Sequence, residues 1–302
     1  MSIHPSWIFF DYYSGWALIH KGQGETARER FRRLESNSPA WRGPAAFYSG
    51  LAYLSEGKHR EAQAEFLRAI GLARENGQIR EEVMYRVFYG EALLIRGEAG
   101  PAQAKFEDAE KVSAQYYRYD FNPVPLTRRF YAGRAFLRQG QIDRAASLAA
   151  EISTIVRDKG LPAEFLDFRL LLEAEISLAQ NKPEDALRIL DQTSYFVWHS
   201  SPHFWRAKAA AEDILGRAEL AAECYREFLG RTTLAREESC DPVRYFYEMS
   251  MADYNLGRIA EKTGNAAAAR DHYQKFLERM RAADPGIPEV ADARKRLAAL
   301  GS

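Results

Sequence analysis

The sequence predicts an all-α protein, an α-solenoid of about seven helical hairpins closed by one C-terminal capping helix. Three observations predict it. A pair of glycines seven apart recurs at Gly15/Gly22, Gly50/Gly57, Gly90/Gly97, Gly133/Gly140 and Gly257/Gly264. Alanine stands twelve positions after each first glycine, at Ala27, Ala62, Ala102, Ala145 and Ala269. Two weaker copies, Ala174/Asn181/Ala186 and Ala209/Gly216/Ala221, keep the same offsets. Apolar residues flank the first small residue at helical rather than strand spacing, as in Phe47, Leu51 and Leu54.

Each offset has a physical cause. The first small residue lies inside a first helix, where glycine costs about 1 kcal/mol relative to alanine. That cost is tolerable where a second helix crosses too closely for a Cβ. The second glycine ends the first helix in a left-handed conformation. The alanine sits on the second helix at the crossing. Four residues later, Phe31, Phe66, Phe106, Ala149, Leu190, Tyr225 and Tyr273 are expected to fill the space where the helices diverge. Repeats four and five lack an aromatic there.

The hairpins are expected at about 8–39, 44–77, 78–118, 125–159, 162–198, 202–232 and 242–283, with the capping helix at 288–300, in one continuous array over 1–302. Proline agrees with this register, being tolerated in a helix's first turn and costing about 3 kcal/mol inside it. Pro44, Pro125, Pro162, Pro202 and Pro242 stand at starts of first helices, and Pro101 and Pro183 at starts of second helices. Ser201-Pro202 and Asp241-Pro242 read as N-cap followed by N1. Segments 116–125 and 231–241 are long connections. In the cap, Val290, Ala291, Ala293 and Leu297 are expected to face the last hairpin, with Arg294, Lys295 and Arg296 solvated. Trp7, Ile8, Phe9 and Phe10 open the first helix with no such cap. Their face is expected to be covered by a partner, by self-association, or by a preceding part of a longer protein.

The register resembles the tetratricopeptide repeat (TPR) family over about residues 8–283. The seventh copy matches it best, with Tyr254-Asn-Leu-Gly-Arg-Ile-Ala-Glu-Lys-Thr-Gly264, then Ala269 and Tyr273; the first also carries a closing proline, Pro39. Successive copies are longer and less even than the family's uniform repeat, and the family's early tryptophan occurs only as Trp205. The lengthened hairpins are similar to the subclass of kinesin light chains and MalT-like bacterial regulators. The resemblance implies a right-handed solenoid whose first helices line a concave ligand-binding groove. Carried onto this chain residue by residue, the groove positions include Tyr12, Trp16, Phe47, Tyr48, Phe88, Phe130, Tyr131, Arg134, Arg138, Arg206, Tyr254, Asn255, Arg258 and Lys262. They read as aromatic and apolar in repeats one to five and charged in six and seven. Arg134 and Arg138, one turn apart, suit a carboxylate or phosphate, or pair with Glu91 or Glu175 across the groove. Asn255, Arg258 and Lys262 resemble the arrangement with which some family members hold a C-terminal carboxylate, or pair with Glu261.

Composition and motifs exclude other classes. Lys+Arg and Asp+Glu number 42 each, giving no net field to gather nucleic acid or anionic lipid. The one basic concentration, Arg28/Arg30/Arg32/Arg33, is offset by Glu25, Glu29 and Glu35. No apolar stretch is long enough to cross a membrane, and the N-terminus lacks a secretory pattern. Two cysteines build neither a disulfide framework nor a four-ligand zinc site. Cys224 reads as a packing residue on a second helix, and Cys240 as an exposed loop thiol. Gly22-Gln-Gly24 coincides with an inter-helix turn, with no strand before it and no Lys-Ser/Thr after it. His199 and His203 have the spacing of a helical metal pair, but Pro202 starts a helix between them. Paired acids such as Glu81-Glu82 read as solvated faces. No catalytic residue, metal or cofactor is therefore expected.

The expected function is a non-catalytic scaffold in the cytoplasm of a bacterium, binding an extended peptide or a partner helix in the groove. The alternative is a ligand-sensing regulatory module of a bacterial signalling or transcription-control protein. Partners are expected to be protein or peptide, with neither nucleic acid nor membrane. On this reading, Arg134→Glu with Arg138→Glu weakens binding of an acidic ligand with little loss of helicity.

Overall fold

The computed structural model describes residues 5–37, 39–116, 124–194, 201–230 and 241–301. In order, the helices are α1 (Pro5–His20), α2 (Gly24–Asn37), α3 (Arg42–Ser55), α4 (His59–Glu75), α5 (Ile79–Ile95), α6 (Ala99–Tyr116), α7 (Val124–Arg138), α8 (Ile142–Asp158), α9 (Asp167–Ala179), α10 (Pro183–Leu190), α11 (Pro202–Ile214), α12 (Ala218–Gly230), α13 (Pro242–Lys262), α14 (Ala266–Arg279) and α15 (Pro288–Leu300). Short 3₁₀ turns at Pro39–Trp41 and Ala163–Leu166 precede α3 and α9. The described residues contain no strand. They form seven consecutive hairpins and a final single helix, so the chain is an all-α helical repeat.

The repeat register is visible in the packing. The crossing alanines Ala27, Ala62, Ala102, Ala145, Ala186, Ala221 and Ala269 are all buried. The small residue of the first helix meets the large residue of the second directly. A Cβ added at Gly50 would lie 2.6 Å from the Phe66 ring, and one at Gly90 would lie 2.2 Å from the Phe106 ring. The aromatic therefore lies over the glycine itself, rather than where the helices diverge. Repeat four has Ala149 at the aromatic position, and Leu172 of α9 takes over: a Cβ on Gly133 would lie 2.5 Å from its side chain. A neighbouring hairpin thus supplies the missing bulk.

The first helices end as expected. Gly57 has φ 73° and Asn181 has φ 58°, and Asn181 is the one non-glycine residue with positive φ among the described residues. Asparagine tolerates this region better than most side chains. Asp241 caps α13 by accepting the Arg244 N–H at 2.9 Å. Ser201 holds the N-cap position of α11 without a side-chain capping bond.

The helices gather into two compact units, residues 1–85 with 246–302, and residues 86–245. The repeat register alone does not foresee this grouping. In the first unit α1, α2, α3 and α4 pack in succession. The last hairpin also packs on the first two. Phe246 lies 5.0 Å from the Trp16 ring and 5.4 Å from the His20 ring. Ser250 donates to the Ser55 carbonyl at 2.9 Å. The Arg279 guanidinium reaches the Ile19 and His20 carbonyls at the C-terminus of α1, at 3.4 and 3.3 Å. Cap helix α15 buries Val290 and Ala293 with Tyr273, Phe276 and Met280 of the last hairpin; Ala291, expected inward, is exposed. In the second unit α6 to α12 pack in chain order, with further contacts of α7 with α9 and of α9 with α11. No described helix is long and apolar enough to cross a membrane.

Candidate ligand-binding site

In the unit of residues 86–245, several first helices each send a charged residue to one buried network. Glu91 (α5) is fully buried. Both its oxygens accept from Arg134 (α7), at 2.8 and 2.7 Å, and Oε1 also accepts from Arg244 Nε (α13) at 2.6 Å. Arg134 Nε reaches Glu175 (α9) at 3.1 Å, and Glu175 accepts from Arg206 (α11) at 2.6 Å. Asp241 accepts from the Tyr131 hydroxyl at 2.6 Å and lies 3.2 Å from His203 Nε2. Charges this deeply buried are tolerated only when paired and hydrogen-bonded. Here, each carboxylate has an arginine or a hydroxyl.

The environment fixes the protonation states. Burial favours a neutral Glu175, but Arg134 and then Arg206 outweigh it and hold the carboxyl well below its ordinary range. Burial, aided by Arg134, holds His203 well below its ordinary value, so its ring is neutral. That ring stands edge-on to Phe130 at 5.0 Å, and its Nδ1 is buried without a hydrogen-bond partner. Burial followed by the charge on Asp241 raises Tyr131 well above the phenol range.

Glu91, His203 and Asp241 bring one ligand atom each within 4.8 Å of one another. This does not make a good metal centre. Both oxygens of Glu91 and both of Asp241 already accept hydrogen bonds. Arg134 and Arg244 also place two positive charges where the cation would go. An added divalent ion would leave this buried network with uncompensated charge. The sequence sets His199 aside as a metal partner of His203, since Pro202 starts a helix between them. His199 lies outside the described residues, and the observed partner of His203 is Asp241.

Beside the network lies a pocket of about 130 Å³, lined by Leu94, Leu137, Leu178, Arg134, Glu175, Arg206 and Arg138. Arg138, the last residue of α7, is exposed. It forms no ion pair with a carboxylate among the described residues. Partial desolvation, then the nearby Arg206, Arg244 and Arg134, lower its affinity for its proton. Glu175, which lines the same pocket, partly offsets these arginines.

The structure sorts the expected groove residues into three groups. Phe47, Tyr48, Phe130, Tyr131 and Arg134 are buried, and this corrects the expectation that they face a ligand. Phe47 stacks on Tyr85 at 4.8 Å and Tyr131 on Phe106 at 5.4 Å, so these rings fill the space between successive hairpins. Tyr12, Trp16, Phe88, Arg206, Tyr254, Asn255 and Arg258 are partly buried. Trp16 sits between Tyr48 and Phe246, and Arg206 is held by Glu175. Tyr254 donates to Asp292 of the cap at 2.8 Å, and Arg258 lies over the Tyr254 ring. Arg138 and Lys262 are exposed. Arg244 and Asp241 were not foreseen as members of a site. Glu91, alone among apolar neighbours on α5, is the sequence signal for a buried acid in need of an arginine.

Cys224 is buried as expected, and burial raises its thiol to about 11. Cys240 lies outside the described residues.

Tetratricopeptide repeat models match two segments, residues 49–76 and residues 242–288. No sequence match was found among curated proteins. Among solved structures, the chain is similar to a tetratricopeptide repeat protein from Parabacteroides merdae, at 11% identity and a TM-score of 0.48, over 98% of this chain and 100% of that one. It is similar to a Podospora anserina putative kinesin light chain with nearly identical TPR-like repeats, at 16% identity and a TM-score of 0.47, over 72% and 98% of the two chains. It is also similar to the apo form of RapI, at 13% identity and a TM-score of 0.49, over 97% and 99%.

Proposed function

We propose that this chain, a tetratricopeptide repeat protein, is a non-catalytic interaction module that holds an acidic segment of a protein partner at Arg138. One observation carries the proposal: among the described residues, Arg138 stands at a small pocket with Arg134 and Arg206 beside it and forms no ion pair, the pocket's one carboxylate, Glu175, being held by those two arginines. The pocket volume suits one carboxyl group with a short stem. Its leucines, Leu94, Leu137 and Leu178, suit an apolar stem or neighbour. A charge-assisted hydrogen bond from Arg138 would fix the orientation of the segment.

Arg134 has a different role. It is spent on Glu91 and Glu175, so Arg134→Glu disrupts the fold, and the double substitution expected to keep its helicity does not test binding. Arg138→Glu alone does. In fluorescence anisotropy with labelled Leu/Asp/Glu-rich peptides, wild type binds and Arg138→Glu binds about ten-fold or more weakly, the order of one lost hydrogen bond to a charged group. Equal binding by the two proteins, or equal binding of Asn/Gln peptides to the wild type, would overturn the assignment.

A further inference from the structure

A cavity of about 990 Å³ lies within the unit of residues 1–85 and 246–302, and shares no lining residue with the Arg138 pocket. Its walls are the α1–α2 turn, the start of α2, the α3–α4 turn, α13 and α14. Eleven of its seventeen lining residues are charged and none is a large apolar one, so it does not suit an apolar ligand. Four of its five acids are engaged. Glu56 lies 2.9 Å from both Arg28 and Lys58. Asp271 pairs with Lys275, Glu278 with Arg281, and Asp253 with His272, at 2.6, 3.0 and 2.9 Å. Glu56 also presses against Gly24, where a Cβ would lie 2.2 Å from its Oε1, so the positive end of α2 is already answered. Lys21, Arg279 and the fifth acid, Glu25, form no ion pair among the described residues. A Cβ at Gly22 would lie 3.9 Å from Arg279 Cζ, which places the guanidinium against the turn that carries Lys21. Arg279 donates only to the Ile19 and His20 carbonyls, at 3.4 and 3.3 Å, long for a charged donor. Partial burial lowers its hold on its proton, and Asp253 opposes this only in part. Gln23, Thr26 and Gln274 also line the cavity, and their side chains form no hydrogen bond among the described residues.

We infer that this cavity binds a small hydrophilic phosphomonoester, its phosphate held between Lys21 and Arg279 and its polar stem by Gln23, Thr26 and Gln274. A phosphomonoester carries a charge of about −1.5 to −2 near neutral pH and three acceptor oxygens. It therefore answers two cations that lack a counter-ion, where one carboxylate answers one. The volume holds a stem as well as the phosphate. Glu25 is the one free acid on the lining, and it weakens the binding of any anion there. Lys21 belongs to the first hairpin and Arg279 to the last, so the ligand bridges the two and stabilises their contact.

The site does not involve Arg138, so its test is separate from that of peptide binding. The probe is glucose 6-phosphate, in calorimetry and thermal unfolding at constant ionic strength. Wild type binds it saturably at millimolar concentration or below, and unfolds at a higher temperature with it. Glucose, inorganic phosphate and glucuronate, the carboxylate counterpart, each bind more weakly. Lys21→Gln weakens binding of the ester ten-fold or more. Its exposed side chain supports no other contact among the described residues, so it serves if Arg279→Gln, which should act alike, loses its helical circular dichroism. Glu25→Gln tightens binding. Glu29→Gln makes the same change of net charge outside the cavity and leaves binding as it was. No saturable binding, binding of glucose or glucuronate as tight as that of the ester, or a Lys21→Gln protein that binds like wild type would each overturn the inference.

Discussion

Two side chains make pH a direct probe of the interior. Burial, then the charge of Arg279, holds His20 down at about 4, against an ordinary value near 6.5. A histidine whose folded value is depressed contributes stability that is fully present above the unfolded value and lost as pH falls. Urea midpoints should therefore fall between about pH 6.5 and pH 4, and His20→Gln should flatten that part of the profile. Glu175 is also depressed, because Arg134 and Arg206 outweigh its burial. Its contribution is present above the ordinary carboxylate range and is lost as pH falls below it, so Glu175→Gln should lessen the acid sensitivity below about pH 4. Arg134→Ala leaves Glu91 and Glu175 short of a partner and should cost about 3–5 kcal/mol in chemical denaturation. Single residues were the least legible scale. Arg244 and Glu91 lie 153 positions apart, and Tyr131 and Asp241 lie 110 apart. Nothing local in a sequence joins such pairs.

At the scale of the element most of the fold was readable, because a hairpin is a local object. The spacing of Gly50, Gly57, Ala62 and Phe66 is set by one helix crossing its immediate neighbour, and the structure repeats it in Gly90, Gly97, Ala102 and Phe106. Legibility failed where bulk came from outside the hairpin, as at Gly133, which Leu172 covers from α9. The same cause misplaced the aromatics: Phe47 and Tyr131 were expected in a groove but fill the contacts between hairpins. Leu172→Ala should cost about 2–5 kcal/mol, as other buried leucine truncations do. Adding Gly133→Ala should return part of that loss, since its methyl enters the vacated space and alanine favours the helix. In wild type the same Gly133→Ala should destabilise. A double-mutant cycle in urea reads the coupling.

At the scale of the molecule the last hairpin is a neighbour of the first two within one unit, through Phe246, Ser250 and Arg279. In an open array each repeat answers only to the next. Here, the triple substitution Phe246→Ala, Ser250→Ala and Arg279→Ala should raise amide exchange in α1 and α3, far away in sequence. An unchanged exchange pattern there would show that the contacts contribute no stability. The functional account rests on one leftover charge, and its most direct measurement is a binding cycle. An acidic peptide and its Asn/Gln twin are titrated calorimetrically into wild type and into Arg138→Gln. Wild type should prefer the acidic peptide about ten-fold or more, and Arg138→Gln should bind the two nearly alike. The same preference in both proteins would contradict Arg138 as the anion-binding residue.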